Sequence, residues 1–260
     1  MLISTLILVG LAALLILTTE AGYRSYLWVR QRRDMTSEEG SSFVMASALT
    51  LLALLIGFTF SMAQSNFELR RDLVTHEANA ISTAHLRQQL LDTAQRRELN
   101  TLMAEYVRVR MGFSRARGDR EALETVGVQT GQLQAKIWEA TDRALETPAG
   151  QRISVPLLSA TNDMFDDAER RYAAFDARIP TRILWSLLAY ALGSSLLVGL
   201  TLAATGSRHF ISTSGLFVLI ALALSLIIDM DNSAAGQITT SQAPMERVSK
   251  MIATVLQQPG

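Results

Sequence analysis

Residues 42–91 constrain this chain more than any other stretch. They begin as SFVMASALTLLALLIGFTFSMA, apolar on every side, and continue as the charged run QSNFELRRDLVTHEANAISTAHLRQQLL. No Gly-Pro, Asn-Gly or Ser-rich break separates the two halves. A membrane span that passes unpunctuated into a polar helix predicts a rigid coupling between a bilayer and an extramembrane region.

The rest of the chain fits that reading. Of its 260 residues, 49% are hydrophobic and only 18% are charged, and the apolar residues cluster. A bilayer core needs about 20 apolar residues per helix. Residues 2–19, 43–62, 183–204 and 210–228 meet that need. No side chain before Glu20 is charged, so the first stretch lacks the basic n-region of a signal peptide and reads as a retained span. Gly193, Ser194 and Ser195 in the third stretch are small enough to let a neighbouring helix approach closely.

The predicted fold class is therefore an all-α membrane protein, with four transmembrane helices in two pairs separated by a helical insert. The expected divisions are 1–62, 63–182, 183–228 and a tail over 229–260. Within the insert, Leu99, Leu102, Tyr106, Val109 and Phe113 recur at helical spacing. So do Leu133, Ile137, Ala140 and Ala144, and then Leu158, Met164, Phe165, Ala168, Tyr172 and Phe175. Asp92 with Gln95 predicts a capped helix start after a break near Leu91. Gly118-Asp119 marks another boundary, and Thr147-Pro148-Ala149-Gly150 reads as a loop. Pro156 suits the first turn of a helix. The tail ends in a short amphipathic segment carrying Met245, Val248, Met251, Ile252 and Val255, suited to a membrane surface or to the insert.

Several chemistries lack their residues. Cysteine is absent, so disulfides and thiolates are out. His76-Glu77 lacks the second histidine of a helical zinc pair, because position 80 is Ala80. No phosphate-cradling glycine loop and no Gly-x-Ser-x-Gly elbow occurs. No metal and no cofactor are expected. A net charge of zero offers no footprint for nucleic acid. No Asp, Glu, Lys, Arg or His lies inside any span, which argues against an intramembrane enzyme.

Three groups of candidate residues remain. Thr50, Leu54 and Phe58 share one face of the second span; repeated around an axis, they would form an apolar constriction that gates by dewetting. The same residues would equally suit lipid or a neighbouring helix. Arg70, Glu77 and Arg87 follow on the same helix. Glu77 and Arg87 lie among small residues, where burial would demand a charge partner. Asp229 and Asp231 stand where the fourth span ends, either as carboxylates facing ions or simply as the end of the span.

The residues also carry a resemblance. IGFTFSMAQSNFELRRDLVTHEANAISTAHLR (56–87), EYVRVR (105–110), Ile179-Pro180 before Leu184-Trp185, and Asp229-x-Asp231 before Gly236 together resemble the bestrophin-like family of bacterial membrane proteins. Where that family often has a proline and an aromatic before the glycine, this chain has Asn232, Ser233, Ala234 and Ala235. The resemblance implies similarity to bestrophins, which are pentameric anion channels with the second span lining the pore. It implies a homo-oligomer in a bacterial inner membrane, crossing it several times, with the lipid bilayer and small inorganic ions as partners. It also implies a cytoplasmic insert. The arginines after the first span, Arg24, Arg30, Arg32 and Arg33, favour the opposite orientation, with the insert periplasmic. A non-enzymatic, membrane-anchored helical sensor or interaction protein is the alternative function.

Overall fold

The computed structural model describes residues 2–31, 41–116, 119–176, 178–206, 208–231 and 240–257. All regular structure among them is helical: α1 Leu2–Arg30, α2 Ser41–Gln88, α3 Thr93–Arg115, α4 Arg120–Leu145, α5 Pro148–Arg152, α6 Ser154–Asp176, α7 Thr181–Ala204, α8 Phe210–Asp231 and α9 Ala243–Gln257. Gly118, Arg32, Arg33, residues 232–235 and Gly236 lie outside the described residues.

The helix α2 has 48 residues without interruption. At 1.5 Å per residue it is about 72 Å long, more than twice the ~30 Å of a hydrocarbon core. It ends in a tight turn in which the Leu91 N–H donates to the Gln88 carbonyl at 3.1 Å. Asp92 then takes the N-cap position of α3, but its side chain makes no capping bond. The break expected near Leu91 is present; the Asp92–Gln95 capping pair is not.

The chain forms two compact units, Met1–Asn66 with Arg178–Ile238, and Phe67–Ala177 with Thr239–Gly260. The first unit holds α1, α7, α8 and the apolar half of α2, the four described helices long and apolar enough to cross a membrane. In it α1 packs along both α7 and α8. The approach to α7 is through glycine: a Cβ on Gly199 would lie 2.0 Å from the Thr19 carbonyl oxygen, and one on Gly22 would lie 2.4 Å from that of Leu196. Ser194 and Ser195 are buried, whereas Gly193 has nothing within 4 Å of a Cβ. The closest backbone contact therefore falls one to two turns beyond the small-residue cluster expected to make it.

The second unit is a helical core. Val74, Ala78, Ile81 and Ala84 of α2 join Leu99, Met103, Tyr106 and Val107 of α3 in it. Leu133, Ile137, Ala140 and Ala144 come from α4, Leu157, Ala160 and Met164 from α6, and Met245, Val248 and Ile252 from α9. Each fully buried Leu, Ile or Met contributes about 1.5–3 kcal/mol of burial free energy. The tail helix α9 packs on α3, so its apolar face is used within the unit. On α6 the buried stripe includes Leu157 rather than Leu158, and Tyr172 sits at its exposed edge. Asp119 caps α4, its carboxylate accepting from the Glu121 and Ala122 N–H groups. Residues 147–150 are not a loop: the Thr147 hydroxyl accepts from the Gly150 N–H at 3.1 Å, and Pro148 starts the short helix α5. Gly150 is required there, because a Cβ would meet the Ala144 carbonyl oxygen at 1.9 Å.

Candidate functional site

Within the first unit, α2 is the helix whose surroundings are least filled. Only 11% of its most apolar stretch is buried, against 44% for α7. Leu52, Thr59 and Ala63 are buried; at 100° per residue they share one face. Thr50, Leu54 and Phe58 lie on the opposite side. Leu54 is 52% exposed and Phe58 64% exposed. The Thr50 hydroxyl donates to the Ala46 carbonyl of its own helix at 2.9 Å. Ser61 and Ser65 continue the same exposed side.

At the far end of this unit the two aspartates are engaged in holding the chain. Asp229 Oδ1 accepts from the Ser4 hydroxyl of α1 at 2.7 Å. Asp231 Oδ1 accepts from the Ile179 N–H, just before α7, at 2.8 Å. Both are buried. Carboxylates at a helix C-terminus oppose the helix dipole, and these hydrogen bonds offset that cost.

The second unit contains a buried charge centre on Glu77, which is 0% exposed. Arg110 Nε of α3 donates to one carboxylate oxygen, and Arg171 Nη1 of α6 donates to the other at 2.5 Å. A second nitrogen of each guanidinium is also used. Arg110 Nη2 reaches the Ala168 carbonyl at 3.3 Å, and Arg171 Nη2 reaches Gln242 Oε1 at 2.9 Å. Both guanidiniums lie 5.1 Å from the centre of the Phe113 ring, and Phe175 packs edge-on against that ring at 5.6 Å. Burial works against the charge on Arg110, but the Glu77 carboxylate more than offsets it and holds the guanidinium above its ordinary pKa. One residue cluster thus ties α2, α3, α6 and the segment leading into α9.

Neither Arg70 nor Arg87 is a partner of Glu77 here. Arg70 is buried, and Arg87 donates to the Pro156 carbonyl at the start of α6. The reason is distance along the axis: Arg70 lies two turns before Glu77 and Arg87 nearly three turns after it, too far along one helix to meet it. Arg110 and Arg171 come from facing helices. The sequence carried a sign of them. Arg110 falls in register with Tyr106 and Phe113, and Arg171 with Ala168 and Phe175, so each arginine occupies a position that an apolar stripe reserves for the core.

The Tyr106 hydroxyl, next to this centre, is buried and has no hydrogen-bond partner. The amide of Gln134 is near enough to influence it but does not meet hydrogen-bond geometry, and Gln134 Nε2 is unpartnered as well. Burial pushes the Tyr106 phenol above its ordinary pKa. No group of three or more His, Cys, Asp or Glu side chains suited to a metal ion occurs among the described residues.

Comparison with known proteins places this architecture. A crystal structure of a bacterial bestrophin homolog from Klebsiella pneumoniae superposes with a TM-score of 0.72 at 14% sequence identity, covering 97% of this chain and 99% of that one. A point-mutated form of a Klebsiella pneumoniae homolog gives 0.71 at 14% identity, over 96% of this chain and 99% of that one. A crystal structure described as a membrane protein gives 0.68 at 15% identity, over 96% and 99% of the two chains. No curated protein matches the chain in sequence. At such identities the superpositions speak for the fold alone. The sequence profile of the bestrophin-like domain, however, matches residues 8–245. This all-helical membrane protein therefore belongs to the bestrophin-like domain family.

Proposed function

We propose that the chain is the subunit of a homo-oligomeric ion channel, with the exposed side of α2 lining the pore through Thr50, Leu54 and Phe58. One observation carries the reading. The least buried of the four apolar helices packs through Leu52, Thr59 and Ala63 and leaves the opposite side, with Leu54 and Phe58 more than half exposed, uncovered by the described residues. A polar Thr50 and two serines on that side suit an axis better than lipid tails. Leu54 and Phe58, repeated around the axis, form a constriction that can close by dewetting. The family resemblance supports five subunits, an anion as the conducted ion and a bacterial inner membrane. The protein acts without catalysis in this reading.

Reconstitution of the purified oligomer into planar bilayers tests it. Wild-type protein is expected to conduct, and Leu54→Ala with Phe58→Ala is expected to increase the open conductance by widening the constriction. An intact oligomer that passes no current, or a double variant with unchanged conductance, overturns the proposal. Topology fusions at Gly118 show which side of the membrane the insert occupies.

A further inference from the structure

We infer that Arg24 of α1 and Arg208, just before α8, form a binding site for the phosphate headgroup of an anionic phospholipid. The site lies within the first unit and is separate from the α2 side discussed above. Two arginines converge there on one carboxylate oxygen: Arg24 Nε lies 2.8 Å from Glu20 Oε1, and Arg208 Nη2 lies 3.3 Å from the same atom. One carboxylate against two guanidiniums leaves a net positive charge. It also leaves most of the guanidinium N–H donors free to bind an anion. The side chains are 76% and 60% exposed respectively. Arg208 is nonetheless held in place, its guanidinium 4.4 Å from the centre of the Tyr23 ring. A cation stacked in this way is positioned rather than roaming.

The depth of this pair in the bilayer points to a lipid. Arg208 is two residues from the start of α8 at Phe210. Phe210 is 65% exposed and Ile211 87% exposed, which fits hydrocarbon contact. Basic side chains immediately beyond such residues stand at the level of lipid phosphates. Arg208, Glu20 and Tyr23 also line a small cleft of about 40 Å³ whose other walls include Ile16, Leu202, Phe210 and Phe217. Its walls are almost wholly apolar, suited to the first methylenes of an acyl chain. Arginine forks pair with phosphate oxygens in a bidentate manner, so a phosphate bridging Arg24 and Arg208 would take the donors that Glu20 does not. A zwitterionic lipid would bring a choline or amine cation against the same arginines, and that selects for the anionic class.

The test uses the full-length oligomer in nanodiscs made of phosphatidylcholine, with or without one-fifth phosphatidylglycerol. Native mass spectrometry after release counts the lipids retained. Wild-type protein is expected to hold phosphatidylglycerol as roughly three-fifths or more of its retained lipid, about threefold over its share of the bilayer. Arg24→Gln with Arg208→Gln is expected to lose that enrichment, and Arg143→Gln, an exposed arginine of the second unit, to keep it. A wild type with no preference for phosphatidylglycerol overturns the inference, as does full retention by the double variant. Should the double variant not assemble, the wild type alone decides. Phosphatidylglycerol must then raise its apparent melting temperature more than phosphatidylcholine does, and 0.5 M salt must remove the difference. Equal melting temperatures overturn the site.

Discussion

Replacing Glu77 by Gln probes the centre of the second unit most directly. The change is nearly isosteric, so packing is preserved and only the charge is lost. In the folded chain two guanidiniums, 2% and 4% exposed as side chains, face that carboxylate. Breaking a buried pair by removing one partner costs about 3–5 kcal/mol, because the other charge stays desolvated without compensation; here two charges are stranded, which favours the upper end. An exposed pair is the internal control. Arg143 and Glu98 meet at 2.6 Å with side chains about half exposed, and such pairs contribute about 0–1 kcal/mol. For a chain of this size each kcal/mol moves the melting temperature by about 2–4 °C. Glu77→Gln should therefore lower the apparent melting temperature of the detergent-solubilised oligomer by roughly 6–20 °C. Glu98→Gln should lower it by no more than roughly 4 °C. Tryptophan fluorescence and size-exclusion recovery after heating both report the midpoint. A triple variant, Glu77→Leu with Arg110→Met and Arg171→Met, separates charge from shape. Apolar replacement of a whole buried charge group is often neutral or stabilising, so the triple variant should melt above Glu77→Gln. A Glu77→Gln midpoint that matches Glu98→Gln would refute the view that this centre depends on charge balance.

Three further outcomes follow from the geometry. Gly199→Ala should cost about 1–3 kcal/mol by driving α7 off α1, while Gly193→Ala, with open space around it, should be neutral or stabilising by roughly 0.5–1 kcal/mol; paired melting curves compare them. Tyr106→Phe removes a buried hydroxyl that has no partner and should be neutral or stabilising by up to about 1 kcal/mol, whereas a larger loss would reveal a working bond to Gln134. Because burial raises the Tyr106 pKa, its contribution is complete below the free phenol value of about 10 and fades as pH climbs past it, so Tyr106→Phe should flatten the alkaline side of the stability profile. Glu68 and Asp72 are exposed further along α2; if that side of the helix meets permeating ions, Glu68→Gln with Asp72→Asn should move the reversal potential in a salt gradient toward that of the anion, and an unmoved potential counts against α2 as the pore helix.

How much of this could be read beforehand depended on whether the determining contact was local. The continuity of α2 was legible because a helix is broken by its own residues, and no proline or paired turn residues occur between Ser42 and Gln88. The cap of α4 at Asp119 was legible for the same reason. The segment at 147–150 was misread because Pro and Gly each favour a turn in isolation, whereas the Thr147 hydroxyl and the pressure of the Ala144 carbonyl on Gly150 make them a short helix. Asp92 and Gln95 show the reverse, a local pattern present in the sequence whose hydrogen bond is not made. The partners of Glu77 depend on which helices face one another, information that no window along α2 contains.

The arginines themselves nevertheless mark the place. A charged residue in register with Tyr106 and Phe113, and another in register with Ala168 and Phe175, contradicts the apolar stripe each belongs to. Burial of either alone would cost several kcal/mol, so the pattern is stable only if one carboxylate serves both. Glu77 is such a carboxylate, set between Val74 and Ile81 on the buried side of α2. The same reasoning run on the membrane half gives the opposite result. The stripe of α2 that packs, Leu52, Thr59 and Ala63, contains nothing that conflicts with burial, and the side that does not pack is equally apolar at Leu54 and Phe58. Lipid, a neighbouring helix and a dewetted axis all accept such a side. What favours the axis is the polar Thr50, Ser61 and Ser65 exposed beside them, a mark weaker than the Glu77 centre because a hydroxyl can satisfy itself on its own helix, as Thr50 does on Ala46, whereas a buried charge requires a partner.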